Sequence, residues 1–197
     1  EVLAGQPEPP NYFAMMKSLN KKGPEIMGGF RKPLHLDGMI LSRLVGDSAQ
    51  VVDVRQPEEV AKGYVGGTIN IPLDKGFVNW AGWFMKYDKD IFLIAENEKQ
   101  ATQATKELAM IGLDRVEGWF DLSAFLAFKT QGGRLSKVED GSFDQALREK
   151  FAVLDVRSAH ERSEGFVPGS IHVPLGYLPD KFQELPRGQK IAVHCGG

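Results

Sequence analysis

Short runs of apolar residues, separated by polar segments, organise most of the chain. They cover residues 50–54, 68–71 and 91–95 in the first half, and residues 152–156, 170–173 and 190–195 in the second. Such runs are typical of strands buried on both faces. A helix is predicted over residues 100–111, with Ala104, Leu108 and Ile111 on one face and Gly112 as its stop. Strands that alternate with helices predict an α/β fold, in which a parallel sheet is flanked by helices.

The runs in the two halves are similar because one segment is repeated 102 positions later. Val51-Val52-Asp53-Val54-Arg55 recurs as Val153-Leu154-Asp155-Val156-Arg157, and residues 51–73 align with residues 153–175 without a gap, with 11 identities in 23 pairs. A repeat of this spacing has the size of a domain. We therefore expect two similar domains, over residues 33–130 and 131–197.

The first 32 residues predict a linker and one helix. Residues 6–10 are rich in proline and predict an extended linker. Tyr12, Met15, Met16 and Leu19 have helical spacing, and Gly23-Pro24 ends the helix. A helix of about ten residues is marginal on its own. Its apolar stripe must therefore pack on this chain or on a domain upstream of it.

Composition and charge exclude several classes of protein. Apolar residues make up 42% of the chain and charged residues 25%, and the net charge is −2. These values are those of a globular protein, and the absence of a Lys/Arg run argues against nucleic acid or an anionic membrane as partner. No apolar stretch is long enough for a membrane span, and no signal peptide is visible. The 4 histidines show no paired ligand spacing, so we expect no metal site in this segment.

The single cysteine decides which chemistry to expect. One thiol cannot form an internal disulfide, which fits a reducing compartment, and we expect the protein to be cytoplasmic. Residues 91–95 align with residues 191–195, so Cys195 corresponds to Ala95 in the first copy. Both are predicted at the carboxyl end of a parallel strand, where ligands bind.

The neighbours of Cys195 favour a nucleophile over a buried apolar thiol. Gly196 and Gly197 follow it, and glycine lets backbone N–H groups turn inward as an anion cradle. Such a setting lowers the pKa of a thiol and stabilises a thiolate. Asp155 and Arg157 support the site, either by contacting a substrate or as an internal ion pair. With Ala95 in place of the cysteine, the first copy has no nucleophile.

These motifs resemble the rhodanese homology domain, in tandem. The resemblance rests on Asp155-Val156-Arg157, on the Gly-x-x-Pro-Gly-x-x-x-x-Pro segment at residues 165–174, and on Val193-His194-Cys195-Gly196-Gly197. It implies a sulfurtransferase in which Cys195 takes sulfur from thiosulfate or a small persulfide, holds it as a persulfide and passes it to a thiol. Phe166 stands where the family often has His. The loop stops two residues past the cysteine, so the second domain is expected to be incomplete. The first copy resembles the family's inactive copies.

The N-terminal segment resembles a second family. Gly5-Gln6-Pro7-Glu8-Pro9-Pro10-Asn11-Tyr12-Phe13, followed by Met16-Lys17 and Asn20, is similar to the end of a metallo-β-lactamase-fold domain that precedes two rhodanese domains in persulfide-dioxygenase-like fusion proteins. The resemblance implies that residues 1–32 are the tail of such a domain. It also implies that iron or zinc would bind only upstream of Glu1. A homo-oligomer is a separate expectation, because the incomplete second domain would leave an apolar face of its sheet uncovered.

Two other classes of function remain open from the sequence. A related fold uses a Cys loop one residue longer for phosphatase chemistry, and the stretch that would distinguish the two loops is missing. A non-catalytic binding or spacer module is the other alternative. We expect the 197 residues alone to be nearly inactive, because the rest of the Cys loop and the helix after it are absent.

Overall fold

A computed structural model describes residues 12–23, 32–139 and 141–196, and the chain forms two compact units, Glu1–Val138 and Glu139–Gly197. The helices of the first unit are α1 (Tyr12–Lys22), α2 (Leu41–Gly46), α3 (Pro57–Lys62), α4 (Phe77–Phe84), α5 (Glu98–Ala109) and α6 (Ser123–Thr130). Its strands are β1 (Leu34–His35), β2 (Gln50–Asp53), β3 (Tyr64–Val65), β4 (Ile69–Asn70), β5 (Ile91–Ile94), β6 (Val116–Phe120) and β7 (Leu135–Ser136).

The second unit contains α7 (Phe143–Arg148), β8 (Ala152–Asp155), α8 (Ala159–Ser163), β9 (Ile171–His172), α9 (Leu178–Lys181) and β10 (Ile191–His194). Short 3-10 helices cover Gly38–Ile40, Leu175–Tyr177 and Phe182–Glu184. Within the described ranges, none of the helices is both long and apolar enough to cross a membrane.

The first unit is built on a parallel sheet of five strands in the order β1-β6-β5-β2-β4. β3 and β7 form a separate antiparallel pair, in which Tyr64 lies opposite Ser136 and Val65 opposite Leu135. The sequence did not predict this pair. Because β7 pairs with β3, the first unit extends to Val138 and includes residues 131–138.

Helices cover both faces of this sheet. Neighbouring residues of a strand point to opposite faces, and because the central strands are apolar, both faces need to be buried. Val52, Leu93 and Trp119 pack in one buried cluster with residues of α4 and α5. Val51, Ile94 and Phe120 pack in a second cluster with residues of α2 and α6. The predicted α/β fold, with a parallel sheet flanked by helices, is confirmed.

The sheet of the second unit has three parallel strands in the order β10-β8-β9. Its core contains Leu154, Val156 and Val173. Here β10 is an edge strand, whereas β5, its counterpart in the repeat, lies between two strands. Val193 of β10 is 61% exposed, and its counterpart Leu93 is fully buried.

Hydrogen bonds at equivalent positions repeat in the two units. The amide of Ile71 donates to Asp53 O in the first unit, at 3.0 Å. The amide of Val173 donates to Asp155 O in the second unit, also at 3.0 Å. The amide of Val54 donates to Ile94 O, and that of Val156 to His194 O, again at 3.0 Å. The offsets found in the sequence, 102 residues over 51–73 and 100 residues over 91–95, therefore also relate the backbone contacts of the two sheets.

The boundaries of several elements differ slightly from the predicted ones. The strands predicted over residues 50–54 and 91–95 end one residue earlier, as do those over residues 152–156 and 190–195. The helix predicted over residues 100–111 begins at Glu98, because the Asn97 side chain accepts a hydrogen bond from the Gln100 amide and caps the helix there. The helix ends at Ala109, two residues before the predicted end, and Gly112, the predicted stop, has a φ of 77°.

The N-terminal helix packs within the first unit. Met16 packs against the cluster of α4 and α5, and Gly82 and Gly112 leave room for the side chains of Tyr12 and Leu19. Met15, which shares the predicted stripe, is 39% exposed. The predicted linker at residues 6–10 and most of the segment that resembles the metallo-β-lactamase-fold domain lie outside the described residues, as does Pro24.

Candidate functional site

The candidate site lies at the carboxyl ends of the strands in the second unit. Asp155 ends β8, His172 ends β9 and His194 ends β10, and Cys195 follows directly. Parallel pairing places Asp155 opposite both His194 and His172. The carboxyl ends of parallel strands meet at one edge of a sheet, which is where ligands bind in such folds. The fold therefore brings the predicted nucleophile to the edge expected for a site.

Cys195 is exposed, as a nucleophile requires. The residue before it, His194, stacks edge-on against Phe143, with ring centroids 4.8 Å apart. Among the described residues, nothing forms a hydrogen bond with the buried Nδ1 of His194. Gly196 is also exposed, and Gly197 lies outside the described residues. The expected role of these two glycines as an anion cradle stays a prediction.

Asp155 is the buried anchor of the site, with no part of its side chain exposed. Arg157 donates to it from the backbone amide (3.1 Å), Nε (3.0 Å) and Nη2 (2.9 Å). These bonds hold the pKa of the Asp155 carboxyl well below its ordinary value, and they raise the pKa of Arg157. Arg157 also donates to Gly165 O at 2.8 Å. The pair is thus an internal ion pair that fixes the loop after β8, one of the two roles expected from the sequence.

Sequence reasoning missed a second arginine at Asp155. Arg162 Nη1 donates to Asp155 Oδ2 and to Ser170 Oγ, at 3.0 and 2.9 Å. Its guanidinium lies 4.3 Å from the centre of the Phe166 ring, a cation–π contact. The first unit has Val60 at the corresponding position, so the repeat itself held no signal for this contact.

Glu161 and Ser158 form a capping box at the start of α8. Glu161 Oε2 accepts from the Ser158 amide at 2.8 Å and from Ser158 Oγ at 2.6 Å, while Ser158 Oγ accepts from the Glu161 amide. The bonds from Ser158 lower the pKa of the Glu161 carboxyl, which is ionised at neutral pH. The Ser-x-x-Glu spacing could have predicted this motif.

The corresponding edge of the first unit has the same anchor and no thiol. Arg55 Nε donates to Asp53 at 2.9 Å and Arg55 Nη2 donates to Gly63 O at 3.1 Å. Ala95, the counterpart of Cys195, is fully buried, and its amide donates to Phe120 O. This edge therefore offers no nucleophile at the position of Cys195.

The described residues contain no group of three or more His, Cys, Asp or Glu side chains arranged to hold a metal ion. What the arrangement offers is one exposed thiol at the edge of a parallel sheet, where Asp155 is held by Arg157 and Arg162 and the Glu161 carboxylate is held by Ser158. Such a thiol can act as a nucleophile that forms a covalent intermediate.

Comparison with known proteins identifies the family. The model of the family described as "Rhodanese-like domain" matches residues 40–121 and 139–197, well over half of the chain. A curated sulfurtransferase of Allochromatium vinosum is 24% identical over 63 residues, which cover 31% of this chain and 59% of that protein.

Two solved structures are also similar to the chain. A metallo-β-lactamase of Staphylococcus aureus is 32% identical with a TM-score of 0.52, over 60% of this chain and 32% of that one. A thiosulfate sulfurtransferase of Pseudomonas aeruginosa is 16% identical with a TM-score of 0.44, over 93% of this chain and 41% of that one. The chain thus spans less than two thirds of each of these three proteins.

Proposed function

This chain belongs to the rhodanese-like domain family, and we propose that it is the sulfurtransferase segment of a larger enzyme of sulfur metabolism, with Cys195 as the residue that carries the sulfur. The observation that supports this most is the position of Cys195. The only cysteine of the chain is exposed and follows the last strand, at the carboxyl edge of the sheet in the second unit. The curated relative from Allochromatium vinosum is itself called a sulfurtransferase.

The reaction proceeds in two displacement steps. The Cys195 thiolate attacks the outer sulfur of the donor, thiosulfate or a small persulfide, and a new S–S bond forms. The S–S bond of the donor breaks, and its electron pair leaves with sulfite or with the donor's thiolate. The thiolate of an acceptor thiol, or cyanide, then attacks the outer sulfur of the Cys195 persulfide and regenerates the Cys195 thiolate. Each step is easier than direct transfer, because the enzyme supplies a good nucleophile and a good leaving group.

The two units have different roles in this proposal. In the second unit, the ion pair of Asp155 with Arg157 and Arg162 fixes the loop after β8. β8 pairs with β10, the strand that Cys195 follows, and backbone amides after Cys195 stabilise the anionic sulfur. The first unit has the buried Ala95 where the nucleophile would be, and acts as a structural spacer.

A fusion with a metallo-β-lactamase-fold domain is also part of the proposal. It is supported by the similarity to the Staphylococcus aureus metallo-β-lactamase, of which this chain matches a third. Any iron or zinc would then be held by residues of that other domain. A chain with one cysteine suits the reducing conditions of the cytoplasm, where we place the enzyme.

The test is a sulfur-transfer assay from thiosulfate to cyanide. It compares the full-length gene product that contains these residues, its Cys195→Ser variant and the 197-residue chain alone. We expect turnover by the full-length protein, none by Cys195→Ser, and little by the 197 residues. Full activity of the Cys195→Ser variant would refute the proposed role of Cys195, and equal activity of the 197 residues would refute the expectation that the loop needs further residues.

A further inference from the structure

One side chain of α8 lies against the backbone next to Cys195. The Glu161 carboxylate is half-buried, and its Oε2 is held by the Ser158 amide and hydroxyl at 2.8 and 2.6 Å. Two hydrogen bonds to one oxygen fix the direction in which the other oxygen points. Glu161 is therefore a fixed charge and not a mobile surface carboxylate.

The other oxygen, Oε1, faces Gly196. A Cβ atom built on Gly196 would lie 2.5 Å from Glu161 Oε1, which is closer than such atoms approach each other in proteins. A side chain at position 196 would therefore have to displace the carboxylate from this place. The negative charge of Glu161 is thus placed against the residue that directly follows the nucleophile.

The charges around Glu161 are nearly balanced. Asp155 is paired with Arg157 and Arg162, which leaves one positive charge in that group of three. Glu161 offsets that charge. Removing the charge of Glu161 would make the surroundings of the site one charge unit more positive, which favours the approach of anions.

We propose that Glu161 determines specificity at Cys195: its carboxylate, held against Gly196, disfavours donors with a large negative charge relative to donors with little or none. This inference rests on the proposed function. It makes a small persulfide of low charge the preferred donor over thiosulfate, which carries two negative charges. The effect of the Glu161 charge on the reaction of the Cys195 thiol with charged reagents does not depend on sulfur transfer, and can be measured separately.

The first unit provides a matched control for this charge. Glu59 is the counterpart of Glu161 in the repeat, and it is paired with Lys62 at 2.5 Å with about half of its side chain exposed. The residue that precedes its helix, Gln56, makes no capping bond with its side chain. The counterpart of Gly196 is Glu96, so this unit lacks the glycine contact.

The experiment measures the alkylation of Cys195 by two reagents of similar size, neutral iodoacetamide and negatively charged iodoacetate. Because the chain has one cysteine, the total rate of alkylation reports on that thiol alone. The rates are measured for the 197-residue chain and for its Glu161→Gln and Glu59→Gln variants. Glutamine keeps the size of glutamate and an oxygen that can accept from Ser158.

In Glu161→Gln, we expect the ratio of the iodoacetate rate to the iodoacetamide rate to rise about threefold at low ionic strength, the effect of one charge acting over several ångström in a medium close to water. The rise should shrink in about 1 M salt, and Glu59→Gln should leave the ratio unchanged. A variant that loosens the fold changes both rates together, so the ratio remains informative. An unchanged ratio in Glu161→Gln, or the same rise in Glu59→Gln, would overturn the inference.

The same variants separate this inference from the proposed function. If the ratio shifts but Cys195 accepts no sulfur, the electrostatic role stands and the sulfurtransferase proposal fails. If the full-length protein transfers sulfur but the ratio does not shift, only the specificity role fails. With active protein, Glu161→Gln should also raise the rate with thiosulfate about sevenfold relative to the rate with cysteamine persulfide, because thiosulfate carries two negative charges and the factor for one charge is squared.

Discussion

The packing of the N-terminal helix predicts the effect of one glycine substitution. A Cβ atom on Gly82, in the last turn of α4, would lie 2.5 Å from Tyr12 Cδ1 and 2.7 Å from Tyr12 Cγ. Because Cγ lies next to the backbone of α1, the ring cannot move aside unless the start of that helix moves. Gly82→Ala should therefore displace α1 or strain its contact with α4.

The size of the effect follows from two opposing contributions. Overpacking of this kind costs about 1–3 kcal/mol, and alanine in place of glycine inside a helix gains about 0.5–1 kcal/mol. We expect Gly82→Ala to lower the free energy of unfolding of the first unit by about 1–2 kcal/mol. Gly46→Ala is the control, because Gly46 ends α2 and a Cβ there has nothing within 4 Å. That variant should be neutral or slightly stabilised.

Urea unfolding followed by tryptophan fluorescence measures this difference. All 3 tryptophans, Trp80, Trp83 and Trp119, lie in the first unit, so their fluorescence reports its unfolding. In a Tyr12→Ala background the ring that the new Cβ would meet is absent. Gly82→Ala should then lower the free energy of unfolding by no more than Gly46→Ala does. If Gly82→Ala is as stable as Gly46→Ala with Tyr12 present, α1 does not pack on α4 as described.

Two further substitutions test the network and the edge strand. Asp155→Asn should destabilise the second unit at pH 7, because Arg157 and Arg162 lose their anionic partner. The folded-state pKa of the Asp155 carboxyl is lowered, so its contribution to the stability of the second unit is present above about pH 4 and is lost as the pH falls further. Hydrogen exchange should therefore show that the difference in stability between Asp155→Asn and wild type becomes smaller below that pH. A difference that stays constant would refute the stabilising role of the ionised Asp155. Leu93→Ala should lower the free energy of unfolding, measured in urea, by about 2–5 kcal/mol, because Leu93 is buried. Val193→Ala should lower it by less than about 1 kcal/mol, because Val193 is exposed. Similar losses in the two variants would contradict the edge position of β10.

The repeat and the apolar runs were enough to predict the main strands. A strand buried on both faces must be apolar throughout, so β2, β5 and β8 are visible without any structure. β10 was found through its alignment with β5, although it is exposed at the edge of its sheet. β1, β3 and β7 have two residues each, too few for a period to be seen. These strands exist only because they pair with others, β1 with β6 and β3 with β7. The packing of the whole unit brings these partners together.

The candidate site was predictable only in part, for a similar reason. Cys195 and Asp155 stand at the ends of strands, where the register of the repeat locates them. The contact of Arg162 with Asp155 joins a helix to a strand end seven residues away in the chain, with no counterpart in the first unit. The approach of Glu161 to Gly196 joins residues far apart in sequence. Contacts of this kind follow from the fold and leave no periodic pattern.

The central claim is that Cys195 carries the sulfur, and the mass of the peptide that contains it tests this most directly. The full-length protein and its Cys195→Ser variant are incubated with thiosulfate, freed of small molecules, digested without reductant and examined by mass spectrometry. The account predicts that the Cys195 peptide gains the mass of one sulfur atom and loses it when cyanide is added, while the serine peptide gains none. A wild-type Cys195 peptide of unchanged mass, in a protein that transfers sulfur, would contradict the account.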